Sequence, residues 1–160
     1  MKPQVFLFDG PIGVGKTSLG QGVAERLALA FIDGDDHCKT ERWLDSSLQT
    51  NKSIASLCIK LLDSGQGVIV AYPVRRTNWI FFKETFARLG YCCRCIGLIA
   101  QSSQIAKRER VLSKGELARS MQMIKEGYGQ RSFCDLIYHT DKADLETNCV
   151  RLADSIRALP

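Results

Sequence analysis

Residues 8–20 read FDGPIGVGKTSLG, and no other stretch limits what this chain can fold into so tightly. Gly10, Gly15, Lys16 and Thr17 stand at the spacing G-x-x-x-x-G-K-[ST]. In that pattern backbone N–H groups wrap a phosphate chain, the lysine reaches the outer phosphates and the hydroxyl ligates Mg²⁺. Such a loop works only between a strand and a helix, because it aims the unpaired N–H groups and positive dipole end of a helix at the anion. Both flanks are present: Val5 to Phe8 is a short apolar β-prone run, and Leu19, Val23 and Leu27 recur at helical spacing after Thr17. The residues expected on the nucleotide are Gly10, Gly13, Val14, Gly15, Lys16, Thr17 and Ser18, with Thr17 also on the metal.

Further apolar β-prone runs fall at 30–32, 67–72, 93–99 and 135–139, separated by segments of helical period. Strands alternating with helices predict an α/β fold of three layers, a parallel sheet covered on both faces. Four apolar stripes read as core-facing helix sides: Ile54, Leu57, Leu61 and Leu62; Phe82, Phe86 and Leu89; Leu117, Met121, Ile124 and Tyr128; and Leu145, Cys149, Leu152 and Ile156. No repeat or linker splits the 160 residues, which are expected to form one domain over 1–160.

The alternation fails between the fourth and fifth strands. Residues 101–131 hold two helical patterns interrupted at Ser113 to Gly115, and they are basic: Lys107, Arg108, Arg110, Lys114, Arg119, Lys125 and Arg131 outnumber Glu109, Glu116 and Glu126. A basic helical insertion at this point is expected to be a lid that closes over phosphates, because the loop needs charge partners from elsewhere in the chain. Arg108 and Arg110 are assigned to the nucleotide and Arg119 to the reaction itself.

Phosphoryl transfer also needs carboxylates for the metal and for the attacking hydroxyl. The third strand, GVIVAYPVRR, carries no acid at its end. The acids follow the second strand instead, where FIDGDDHC clusters Asp33, Asp35 and Asp36 around Gly34. Side chains at the carboxyl end of a parallel strand face the ligand crevice. Asp33 is therefore expected to hold the metal and Asp35 to take the proton of an acceptor hydroxyl; His37 reads as a surface or hydrogen-bonded residue.

The order GPIGVGKTSLG, then FIDGDD some 16 residues past the loop, then VIVAYPVRR resembles the small-molecule kinases that include gluconokinases, shikimate kinases and adenylylsulfate kinases. The resemblance implies a P-loop NTPase fold of the nucleoside-monophosphate-kinase type, with a five-stranded parallel sheet and a helical lid. It also implies ATP and Mg²⁺, with transfer of the γ-phosphate to a hydroxyl of a small acceptor. Asp33 and Asp35 match the paired acids that serve metal and acceptor in these families, Arg75 and Arg76 in VRRTNW match a basic stretch that holds an anionic acceptor, and KGELAR echoes an adenylylsulfate kinase lid. The chain departs from shikimate kinases in having AYP where they carry a glycine triplet, and only Arg42 could stand for their substrate arginine.

The 22 Lys+Arg against 17 Asp+Glu leave a net charge of +5, which suits a polyanionic small ligand. No run of five basic residues exists, so nucleic acid is not an expected partner. No apolar stretch approaches the length of a membrane span and no leader core precedes Asp9, so the expected location is the cytoplasm, as monomer or homodimer. The seven cysteines are an odd number and read as reduced thiols, with the YCCRC cluster as strand packing rather than a metal site. The leading reading is an ATP-dependent kinase for a hydroxyl of a small anionic metabolite. A nucleoside or nucleoside-monophosphate kinase, and a regulatory module that hydrolyses ATP slowly, stand beside it.

Overall fold

A computed structural model describes residues 2–37, 43–108 and 112–160, with backbone alone for 43–47. Arg110, Glu109, Arg42 and Cys38 lie outside the described residues. The strands are β1 (Gln4–Asp9), β2 (Ala30–Asp33), β3 (Val68–Ala71), β4 (Cys92–Ile99) and β5 (Leu136–His139). The helices are α1 (Lys16–Leu27), α2 (Trp43–Asp63), α3 (Arg76–Arg88), α4 (Ser102–Ala106), α5 (Lys114–Glu126) and α6 (Leu145–Arg157), and a 3₁₀ turn over Gly34–His37 follows β2.

All five strands pair in parallel in the order β2-β3-β1-β4-β5. The chain leaves β1 toward one edge, returns through β3 and crosses to the other side, so the order reverses about the central strand. Open α/β sheets bind ligands outside the carboxyl ends of their strands at such a reversal. Register brings those ends together: Phe8 and Asp33 both pair with Ala71, and Asp9 pairs with Gly97.

The central strand is apolar from Val5 to Phe8 because both of its faces are covered. Phe6 and Phe8 join a core with Leu19, Val23, Leu152 and Ile156 of α1 and α6. Val5 and Leu7 point the other way, into Ile54, Cys58, Phe82 and Phe86 of α2 and α3. The apolar stripes on the helices meet these cores along most of their length, with a few members left outside. Leu89 and Leu145 are 52% and 53% exposed: Leu89 caps α3, and Leu145 is the first residue of α6. Met121 and Leu57 lie on the flanks of their stripes and are also exposed.

Among its described residues the insertion between β4 and β5 holds the helices α4 and α5, and the start of α5 is set by chemistry that periodicity does not register. Ser113 is the N-cap of α5: its hydroxyl accepts the Glu116 N–H at 3.1 Å, and the Glu116 carboxylate accepts the Ser113 N–H at 3.2 Å. The apparent interruption at Ser113 to Gly115 is thus a reciprocal cap. α4 is only five residues long.

Candidate active site

The loop between β1 and α1 is held open by glycines. Gly13 and Gly15 have φ of +84° and +107°, a left-handed backbone that costs a side chain energy. Gly15 caps α1, so the loop leads directly into the first turn of the helix, the end whose backbone N–H groups and positive dipole attract anions. Lys16 Nζ donates to the carbonyls of Gly10 at 2.7 Å and Pro11 at 3.0 Å, which lays its ammonium across the mouth of the loop. Val14 is fully buried, and its carbonyl accepts the Thr140 hydroxyl at 2.8 Å, fixing the loop to the end of β5. Ser120 on α5 ties the opposite side, donating to the Ile12 carbonyl at 2.6 Å.

The acids at the end of β2 and on the turn after it reach the same place. The Thr17 hydroxyl donates to Asp33 Oδ2 at 3.3 Å, and Asp33 Oδ1 accepts the Asp35 N–H at 3.1 Å. One carboxylate therefore positions both the loop hydroxyl and the turn that carries Asp35, and Asp35 lines the loop's cavity. The paired oxygens of Thr17 and Asp33 are hard donors of the kind Mg²⁺ takes, so the residues present fit that ion. His37 is engaged elsewhere, with Nδ1 2.6 Å from the Ser53 hydroxyl on α2.

Of the insertion's cations, Arg108 sits on the loop. Its Nη1 lies 3.4 Å from where a Cβ on Gly15 would stand, and its Nη2 donates to the Thr140 hydroxyl at 2.8 Å. Burial pulls its guanidinium below the ordinary pKa, opposed by the nearby Asp141 carboxylate. A half-buried cation at a phosphate loop gains most from an arriving anion. Lys107 lines the same cavity, a residue the charge pattern alone did not single out. Arg119 is placed differently: exposed on α5, its guanidinium faces Glu126 at 3.7 Å, and it does not line the cavity. Accordingly, Arg108→Ala is expected to lower turnover about 10²-fold in steady-state assays. Arg119→Ala, losing one exposed ion pair, should change turnover by less than about threefold.

Arg75 and Arg76 stand where α3 begins, past the end of β3. The Arg75 N–H donates to Asn78 Oδ1 at 3.1 Å, and buried Asn78 in turn donates to Asn51 on α2 at 3.0 Å. The entry to α3 is thereby rigid, while Arg76 is exposed.

A residue missed in the sequence organises the crevice. Asp9 ends β1 and is wholly buried; Oδ1 accepts the Val74 N–H at 2.7 Å and Oδ2 the Gly129 N–H at 2.8 Å. One carboxylate thus anchors the segment entering the Arg75–Arg76 pair and the segment leaving α5. Its signal was an acid closing an otherwise apolar strand. Burial raises its pKa, while the two N–H bonds, Lys16 and Arg131 act in the opposite sense. Because the folded value lies above the unfolded one, Asp9 favours the fold most when protonated, and stability falls as pH rises through that interval. Urea unfolding of Asp9→Asn is expected to show a loss of about 1–3 kcal/mol, since an amide offers one acceptor to two N–H donors. The same variant should flatten the pH dependence in that window.

The loop, Asp35, Lys107, Arg108, Thr140 and Asp141 line one cavity of about 770 Å³, within the range of nucleotide-sized sites. Asp9, Cys95 and Cys134 also place three ligand-type atoms within 4.8 Å of one another, although both Asp9 oxygens already accept backbone N–H groups.

No family model matches the chain, and no curated protein matches it by sequence. Solved structures match over nearly its whole length. A sugar kinase from Janibacter sp. HTCC2649 has a TM-score of 0.73 at 17% identity, covering 100% of this chain and 97% of that one. The APS kinase CysC of Mycobacterium tuberculosis, solved with AMPPNP and APS, has a TM-score of 0.71 at 15% identity, covering 98% and 99%. A gluconokinase from Sinorhizobium meliloti 1021 has a TM-score of 0.67 at 18% identity, covering 98% and 97%. With its parallel sheet, phosphate loop and helical insertion, the chain has the P-loop kinase fold that sugar, gluconate, APS and shikimate kinases share.

Proposed function

We propose that this protein is an ATP- and Mg²⁺-dependent kinase that transfers the γ-phosphate to a hydroxyl of a small, anionic metabolite. The observation that carries the reading is the convergence of the glycine loop, Lys16, Asp35, Lys107 and Arg108 on one cavity. The kinase neighbours support the reaction class, and one of them was solved with a nucleotide analogue.

The loop's N–H groups and Lys16 bind the phosphate chain, and Arg108 with Lys107 neutralises it from the side of the insertion. Thr17 and Asp33 hold Mg²⁺, which supplies charge neutralisation across the phosphates when bound. Asp35 orients the acceptor hydroxyl and takes its proton, and Arg75 and Arg76 hold the acceptor's acid group. Among the described residues at the end of β3 no carboxylate stands where a hydrolytic water could be oriented, which favours transfer to an acceptor over hydrolysis.

An ADP-release screen over hydroxylated acids, sugars and nucleosides tests this. ADP formation that depends on a hydroxylated acid or acidic sugar is expected. Dependence on a nucleoside or nucleoside monophosphate would move the reading to that kinase class, and ADP release indifferent to every acceptor would replace it with an ATP-hydrolysing module.

A further inference from the structure

Four of the seven cysteines lie on β4 or just ahead of β5, and two of them face each other. Cys95 Sγ on β4 and Cys134 Sγ, on the segment between α5 and β5, are 3.5 Å apart. Their backbones are fastened at the same point: the Asp135 N–H donates to the Cys95 carbonyl at 2.8 Å, and the Cys95 N–H to the Asp135 carboxylate at 3.0 Å. Cys134 is pressed onto β4 so closely that a Cβ on Gly97 would stand 3.0 Å from its sulfur. The two thiols differ in access, Cys95 being fully buried and Cys134 partly exposed.

We propose that Cys134 and Cys95 form a peroxide-oxidisable dithiol, with Cys134 as the attacking sulfur and Cys95 as the resolving one. The difference in access assigns these parts, since a hydroperoxide reaches the partly exposed Cys134 sulfur and not the buried Cys95, and the contact between the two sulfurs acts in the same sense. That contact pulls the Cys134 thiol down and, together with burial, pushes the Cys95 thiol up, in keeping with the exposed sulfur as the nucleophile. The co-reactant is a hydroperoxide. The Cys134 thiolate attacks its terminal oxygen, the O–O bond breaks with loss of hydroxide or alkoxide, and Cys134 becomes a sulfenic acid. The Cys95 sulfur then displaces that oxygen as water while losing its own proton, and an S–S bond forms. Two thiols are oxidised by two electrons and one peroxide is reduced. The sulfurs must close to about 2.05 Å, a shift that the partly exposed segment around Cys134 makes more readily than β4. Metal capture by Asp9, Cys95 and Cys134 is the less favoured use of this cluster, because the Asp9 oxygens are committed to Val74 and Gly129.

The test reads covalent chemistry, so it stands or falls apart from the kinase reading. The reduced full-length protein is treated with a few equivalents of hydrogen peroxide, its thiols are counted, and it is digested with trypsin. Arg94 separates Cys95 from Cys92 and Cys93, so the linked peptides 95–107 and 132–142 identify the bond without ambiguity. The expected result is loss of two thiols of the seven, that linked pair, and its disappearance on adding dithiothreitol. Cys95→Ala should leave Cys134 as a sulfenic acid that dimedone traps, and Cys134→Ala should slow thiol loss by about tenfold or more. A link through Cys92 or Cys93, dimedone labelling of Cys95 ahead of Cys134, or retention of all seven thiols would overturn the proposal. So would stoichiometric zinc carried through purification by the wild type and lost in Cys95→Ala.

Discussion

Lys16→Met is expected to abolish phosphoryl transfer, lowering turnover by at least about 10²–10³-fold, the cost of removing one preorganised charge from a developing anion. The ammonium lies across the loop, and its partners Gly10 and Pro11 are carbonyls that belong to the loop itself. Losing those two part-buried bonds should cost about 1–2 kcal/mol each, a melting shift of several degrees in a chain of this size. A large kinetic defect with a modest thermal one would therefore place the lysine in the chemistry. Retention of more than about a tenth of wild-type turnover would remove the loop from the mechanism.

The second large effect concerns the two acids, which geometry now separates. Asp33 bonds to the Thr17 hydroxyl and to the Asp35 N–H, so its carboxylate bridges the loop and the turn. Asp33→Asn removes the charge that attracts a hard cation and leaves one oxygen for two donors. The Mg²⁺ concentration for half activity should rise about tenfold or more. Asp35 lies past Gly34 on the cavity wall. Asp35→Asn should leave ATP and Mg²⁺ binding within about twofold by calorimetry while depressing turnover with the acceptor by about 10²–10⁴-fold, the range for losing a positioned base. Loss of ATP binding in Asp35→Asn, or full turnover in both variants, would reverse or remove these roles.

The strands were legible because burial on both faces turns a strand into a plain apolar run, as in Val5 to Phe8 and Val68 to Ala71. The loop was legible because it is local, one run of residues from Gly10 to Gly15 between β1 and α1. The positions of Asp33 and Asp35 were legible, Asp33 at the end of β2 and Asp35 on the turn that follows. What the sequence hid was set by contacts across long separations. Asp9 reads as the first letter of the loop, yet its partners Val74 and Gly129 lie 65 and 120 residues away. Arg108 and Arg119 look alike as basic residues in a helical stretch. Only the short α4, the turn after it and the Thr140 hydroxyl decide that Arg108 reaches the loop while Arg119 turns to Glu126. The Ser113 cap was readable as S-x-x-E but was masked by Gly115, which suggested a break.

The central claim is that the γ-phosphate leaves ATP for a hydroxyl and not for water. It is tested most directly by following ³²P from [γ-³²P]ATP in the presence and absence of the acceptor found in the ADP screen. Label should enter an organic phosphate ester in proportion to ADP formed. It should stay in ATP when the acceptor is withheld, and do so in Lys16→Met whether acceptor is present or not. Label released as inorganic phosphate at the same rate with or without acceptor would contradict the account.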